Sequence, residues 1–186
     1  LGGDDIGIEP AGDVESLRYD RRRVDTTPLP ANQEVVLETV RGNTMEIAAE
    51  IDPKKAQAIE LNVLRSPNAE EVTRIVFQKN RGYAPPPRSR HDRQSVITID
   101  TTRSSVLPDA GSRPPEIAPL DLEDDEPLKL RVFLDRSVVE VFANGRQCLA
   151  VRPYPGREDS VGVSLRAQGS DATLTALDAW QMKCIY

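Results

Sequence analysis

Two carboxylates stand five positions apart in the stretch Leu128 to Pro155, LKLRVFLDRSVVEVFANGRQCLAVRPYP: Asp135 and Glu140. Paired carboxylates are the working groups of glycoside hydrolysis, and in retaining enzymes they lie about 5–5.5 Å apart. Glu140 sits within the apolar run Val138-Val139-Glu140-Val141-Phe142, the kind of desolvated setting that suits a general acid. Distance argues the other way. Five residues of strand span roughly 16 Å, shortened by any turn between them. The preferred reading therefore gives Asp135 to a turn. It has Glu140 pointing outward or pairing with Arg131 or Arg152. No catalytic residue is assigned.

The remaining candidates are weighed in the same way. His91 is the only histidine. Without a second His or a nearby Cys it cannot build a usual zinc site, and no Ser or Cys stands in a triad context. It reads as a solvated loop residue, as do Arg88, Arg90 and Arg93 around it. The run Glu123-Asp124-Asp125-Glu126 lacks the alternating ligands and central glycine of a calcium loop, so it reads as a solvated turn. The glycines form no phosphate-cradling loop. No metal, cofactor or cofactor-binding residue is expected. Trp180 offers a ring that stacks on sugars. It alternates with Met182, Cys184 and Tyr186, which reads as a core or domain-interface stripe. Cys148 and Cys184 lie in apolar runs and read as buried thiols, since free cysteine behaves as a small hydrophobe.

The elements that position these residues are strands. The chain has 186 residues, a net charge of −6 and a pI near 5.0. That length supports one well-buried domain. The acidic balance excludes nucleic acid as the main partner. No run of 18 or more apolar residues occurs, so no membrane span is expected. Residues 1–30 carry Gly, Pro and charge blocks without sustained periodicity and read as a connecting arm. The chain begins LGGDDIG, without Met, and whether it is a fragment or a complete gene product is left open. From 31 to 186, strand signals recur at Glu34–Val40, Thr44–Ile51, Ala58–Leu64, Val72–Gln78, Ser95–Asp100, Leu128–Leu134, Ser137–Ala143, Gln147–Arg152, Val161–Leu165 and Ala172–Met182. Period-2 counting puts Met45, Ile47 and Ala49 on one face, and Leu128, Leu130, Val132 and Leu134 on another. Asp135-Arg136 and Asn144-Gly145 are the sharpest turns, the second a type I′ signal. A helical turn or loop is expected near Asp52-Pro53-Lys54-Lys55. The Pro-rich stretches 83–93 and 108–125 read as loops. Short strands with turn chemistry between them predict an all-β fold, a two-sheet antiparallel β-sandwich of the concanavalin or lectin-like kind.

Several segments resemble, in order, the C-terminal β-sandwich of the family 32 glycoside hydrolases, the invertases, levanases and inulinases. Leu130 to Gly145 matches the pattern Leu-Arg-x-Phe-x-Asp-x-Ser-x-x-Glu-x-Phe-x-Asn-Gly. Ile99-Asp100-Thr101-Thr102-Arg103-Ser104-Ser105 is similar to the Asp-Arg-x-x-Ser segment of the family, with Thr101 where Arg is usual. Val14-Glu15-Ser16-Leu17-Arg18, Tyr154-Pro155 and Leu177-Asp178-Ala179-Trp180 also fit.

The resemblance implies that catalysis belongs to an N-terminal five-bladed propeller. Its marks are a Trp-Met-Asn-Asp-Pro-Asn-Gly segment, an Arg-Asp-Pro segment and a Glu-Cys segment. None of the three occurs in this chain. The expected role is thus a non-catalytic support of a fructosyl-cleaving hydrolase. The implied partners are the catalytic propeller domain of the same polypeptide, a second copy through a homodimer contact, and fructan or sucrose. The alternative is a free-standing carbohydrate-binding, lectin-like module. Localisation is left open.

Overall fold

Alternation of apolar and polar residues builds two layers. The structure is a computed structural model that describes residues 7–83, 93–111 and 113–184. Among the described residues, thirteen strands follow a short 3-10 turn at Val14–Leu17. One sheet contains β1 (Arg18–Val24), β2 (Thr27–Leu29), β4 (Thr44–Asp52), β9 (Leu128–Asp135), β10 (Val138–Ala143), β11 (Gln147–Val151) and β13 (Ala172–Met182). Its order is β1-β13-β4-β9-β10-β11, with β2 also on β13. The other sheet contains β3 (Glu34–Arg41), β5 (Ala58–Arg65), β6 (Thr73–Tyr83), β7 (Arg93–Asp100), β8 (Glu116–Pro119) and β12 (Gly162–Gln168), in the order β3-β12-β5-β6-β7-β8. Every strand pairing between these elements is antiparallel. The all-β sandwich expected from the sequence is the fold observed. No helix among the described residues is long and apolar enough to cross a membrane.

The core lies between the sheets. Met45, Ile47, Ala49 and Ile51 of β4 face Leu128, Leu130, Val132 and Leu134 of β9 across the ladder, and all eight are buried. Ile59, Leu61 and Val63 of β5, with Ile75 and Phe77 of β6 and Ile97 and Ile99 of β7, supply the opposite layer. Each such side chain contributes about 1.5–3 kcal/mol through removal from water. That apolar total offsets the ordering entropy of a chain whose strands pair over long sequence separations.

Two turns follow their chemistry. Asn144 and Gly145 have φ of 49° and 63°, the paired positive values a type I′ hairpin needs. The loop joining β9 to β10 is Arg136-Ser137, with Arg136 at φ 53°.

Several expectations are corrected. Residues 18–29, read as part of an arm without sustained periodicity, form β1 and β2 on β13. The strand signal is obscured because β1, RYDRRRV, lies at a sheet edge with mostly exposed side chains. The Pro-rich stretch 108–125 contains β8, an edge strand on β7. Pro119 is tolerated there because an edge needs no donor on its free side. Around Asp52 to Lys55 the chain makes a turn, in line with the expectation of a helical turn or loop, with the Ala56 N–H donating to the Pro53 carbonyl at 2.9 Å. In the stretch 83–93, Tyr83 and Arg93 pair as the ends of β6 and β7. His91, Arg88 and Arg90 lie outside the described residues.

Candidate functional site

The outer face of the seven-stranded sheet gathers most of the candidate side chains. Outward positions of β4 are Thr44, Glu46, Ala48 and Glu50, the complement of its buried set. Glu46 is nevertheless 0% exposed. Three strands cover it. Arg18 of β1 donates Nε and Nη2 to its two oxygens at 2.8 and 2.7 Å. Arg131 of β9 donates Nε at 2.5 Å. Trp180 of β13 stands beside Glu46 in register, and the Arg18 guanidinium stacks 4.2 Å from its ring centroid. Glu15 closes the group at 3.2 Å from Arg18 and 3.6 Å from Arg131.

The electrostatics follow from that packing. Burial pushes the Glu46 carboxyl up, but hydrogen bonds from Arg18 and then Arg131 outweigh it and hold it below the ordinary carboxylate value. The hydrogen bond to Glu46 raises Arg18 in turn. Glu46 and Arg18 therefore both stay charged at neutral pH. Next to it, a cleft of about 510 Å³ runs between β13, β4, β9 and β10. Small residues, Ala48 and Ala176, leave its floor open. Ile8, Glu9 and Pro10 line one side, held by the Ile8 N–H donating to the Gly145 carbonyl at 2.8 Å.

At another place, loops are locked by one buried carboxylate. Glu71 is 0% exposed. It accepts from the backbone N–H groups of Val106, Gly156 and Arg157 at 2.8, 2.7 and 3.1 Å, and from Ser160 Oγ at 2.5 Å. Burial pushes its carboxyl up. The Ser160 hydroxyl and the three amides prevail and hold it low. Beside it, Val106, Leu107 and Tyr154 are exposed. A Cβ on Gly156 would stand 2.6 Å from Leu107 Cγ, so a larger residue there would force the Leu107 side chain to shift.

The structure separates the residues named from sequence. Asp135 and Glu140 are both exposed on the outer face of the β9–β10 hairpin. Asp135 pairs with Val138, and Glu140 with Phe133, so the two carboxylates are diagonal neighbours rather than a pair across a cleft. Glu140 points outward, as expected. Arg131 takes Glu46 as partner instead. The acidic run forms a turn in which the Glu123 N–H donates to Glu126 Oε2 at 2.9 Å, while Arg146 and Asn144 donate to Glu126 Oε1. Among the described residues, no group of three His, Cys, Asp or Glu is arranged to hold a metal.

Two readings change. Cys148 and Cys184 are free and exposed, not buried. Cys148 pairs with Phe142 on the outward parity of β11, and Cys184 follows the end of β13. The stripe of Trp180 and Met182 is half-buried on the outer face, which removes the core half of its reading and leaves the domain-interface half standing; its Tyr186 lies outside the described residues. A register shift between Leu174 and Ala176 reverses the parity of β13, so Leu177 and Ala179 face inward. Glu46, Arg18 and Glu71 escaped sequence reasoning altogether. The only signal was a carboxylate at an outward position of an otherwise apolar strand.

Comparison with known proteins agrees with this geometry. A family described as glycosyl hydrolases family 32 C terminal matches residues 13–181. Raffinose invertase of Escherichia coli is 48% identical over 64 residues, which cover 34% of this chain and 13% of that protein. Fructan 1-exohydrolase w3 of Triticum aestivum is 32% identical over 130 residues, covering 66% and 20%. The solved fructan 1-exohydrolase IIa from Cichorium intybus shares the fold at a TM-score of 0.77 and 16% identity, across 94% of this chain and 37% of that one. The exo-inulinase from Aspergillus awamori does so at 0.70 and 21%, across 96% and 32%. The chain thus spans a minor part of the length of the proteins it matches. With a family match running from the turn before β1 to the end of β13, and the same two-sheet fold in solved relatives, the chain belongs to the family of C-terminal domains of glycosyl hydrolases family 32.

Proposed function

We propose that this chain is the non-catalytic β-sandwich of a glycoside hydrolase that cleaves fructosyl bonds of sucrose or fructans. It packs against a catalytic propeller of the same polypeptide and holds it rigid. Residues 1–30 lead in from that propeller, their stretch 18–29 joining the seven-stranded sheet as β1 and β2, and residues 31–186 form the rest of the supporting domain. The observation that carries this reading is the family match over residues 13–181, in relatives named as invertase and fructan exohydrolase of which this chain spans 13% and 20%.

Physical support comes from the Glu71 loops. Val106, Leu107 and Tyr154 are exposed large apolar side chains on backbone that a buried carboxylate pins in place. An apolar patch on fixed loops is what a severed domain interface leaves behind. The exposure of Asp135 and Glu140 on the outer face of their hairpin supports leaving this chain without an acid/base pair.

The test is the coding sequence upstream of Leu1, followed by expression of the whole polypeptide. An in-frame propeller, sucrose or inulin hydrolysis by the whole protein and none by this chain is the expected result. A start codon close to Leu1 without a propeller would overturn the reading, as would hydrolysis by this chain alone.

A further inference from the structure

The cleft of about 510 Å³ on the outer face of the seven-stranded sheet is not accounted for by a supporting role. Its floor is Ala48 of β4 and Ala176 of β13. In register, Ala48 lies between Asp178 and Arg131, and Ala176 lies beside Glu50. Two methyl groups among long side chains leave a hollow. Its volume falls within the range of small-molecule pockets, about 300–1,000 Å³.

The walls are open to solvent. Phe142 of β10 is half-buried and set edge-on to Phe133, with ring centroids 6.0 Å apart. Glu50 is half-buried, while Lys129 and Glu9 are exposed. Glu9 Oε1 lies over the β10–β11 turn, 3.7 Å from where a Cβ on Gly145 would stand.

The charges of this lining divide into two sets. Arg131 is engaged by Glu46, and Asp178 by Arg21 and Arg23. Glu50 and Lys129 are not engaged. They stand directly opposite each other on β4 and β9, a relation in which opposite charges attract. Yet no hydrogen bond or ion pair joins their side chains. Neither of these side chains, nor that of Glu9, has another such partner among the described residues. Trp180, one register row away, has its ring taken up by Arg18, so Phe142 is the aromatic side chain left to the cleft.

That set selects the ligand. A small anion pairs with Lys129 and meets two carboxylates. A cation pairs with the carboxylates and meets Lys129. A neutral polyol suits all three, because a hydroxyl donates to a carboxylate and accepts from an ammonium. A sugar ring adds an apolar C–H face for the alanine floor and the Phe142 ring. We propose that this cleft binds a neutral sugar, with hydroxyls on Glu50, Lys129 and Glu9 and a ring face on Ala48, Ala176 and Phe142. A site so open binds weakly. This goes beyond the supporting role proposed above, and its failure leaves that role standing.

The test is a titration of the isotope-labelled chain followed by NMR. The probes are fructose, glucose, sucrose and 1-kestose, with inorganic phosphate and spermidine as anion and cation controls. The expected result is saturable shifts of the Ala48, Gly145 and Ala176 backbone amides with at least one sugar, and none with either control. Ala48→Leu fills the floor from an outward position and should abolish the sugar-dependent shifts at Gly145 and Ala176. Trp180 fluorescence reports that the variant is folded. Glu50→Ala and Lys129→Ala, both outside the core, should each weaken binding by about tenfold, the value of one charge-assisted hydrogen bond. Shifts absent at the highest soluble sugar concentration would overturn the proposal. So would competition by phosphate or spermidine, shifts confined to the Val106, Leu107 and Tyr154 loops, or undiminished binding in Ala48→Leu or in both alanine variants.

Discussion

Arg18 and Glu46, 28 residues apart in sequence, form a two-point pair at 2.8 and 2.7 Å on the outer face of the seven-stranded sheet. The pair ties edge strand β1 to β4 across β13. It also explains how a carboxylate at an outward strand position comes to be fully buried. Arg131 and the Trp180 ring complete its enclosure. Mutual attraction repays the cost of removing these charges from water only while every partner is present.

Glu46→Gln should therefore destabilise the chain by about 3 kcal/mol, because Arg18 and Arg131 are left as neighbouring like charges without their counter-charge. Urea unfolding followed by Trp180 fluorescence measures it. A midpoint equal to that of the unaltered protein would show that the cluster is no more than a surface ion pair.

Acid should weaken the fold. For Glu46, burial is overcome by the two arginines; for Glu71, by Ser160 and three backbone amides. Both carboxyls are held below the unfolded value of about 4.3. The sign follows: their stabilisation is complete above that value and is lost as pH falls through the lower folded values. Thermal unfolding between about pH 7 and pH 3 should show a falling midpoint. In Glu71→Gln, part of that dependence should vanish. An unchanged pH profile in the variant would remove Glu71 from the account.

The two hairpins of the β9–β10–β11 meander should respond oppositely to changes at positive φ. At Gly145, with φ 63°, a Cβ would meet only Glu9 Oε1, at 3.7 Å. The space accepts a methyl group; the backbone does not. Gly145→Ala should cost about 1–2 kcal/mol. Arg136, at φ 53°, already carries that strain, so Arg136→Gly should stabilise by up to about 1 kcal/mol. Denaturation midpoints of both variants decide it; equal signs would mean the turns are governed by side-chain contacts.

Cys148 is a free, exposed thiol whose pKa is raised, first by partial burial and then by the Glu140 carboxylate. Thiolate is the reactive form. Glu140→Gln should accelerate maleimide labelling at neutral pH a few-fold and lose the benefit as salt screens the charge. No change in rate would mean that burial alone sets the reactivity.

The fold was legible because its evidence is local. Met45-Ile47-Ala49 and Leu128-Leu130-Val132-Leu134 each declare a buried face by period-2 counting, and Asn144-Gly145 declares its hairpin by backbone preference. The edges were less legible. In β1, RYDRRRV, both faces are largely solvated, so no alternation survives to be read. In β13, the register shift after Leu174 changes which residues face inward, so parity counted along the sequence could not decide which face carries the Trp180 stripe.

By itself, then, the sequence determined the sandwich, its main turns, its family likeness and the absence of the propeller motifs, since these depend on neighbours a few positions apart. Only the tertiary structure decided which charges meet. Arg18 reaches Glu46, Glu71 gathers Val106, Gly156 and Ser160, and Asn62 faces Ser164 across 102 positions. Antiparallel pairing brings distant segments side by side, and the energy of a buried charge or an unpaired amide depends on who stands opposite. Spacing along the chain carries no record of that.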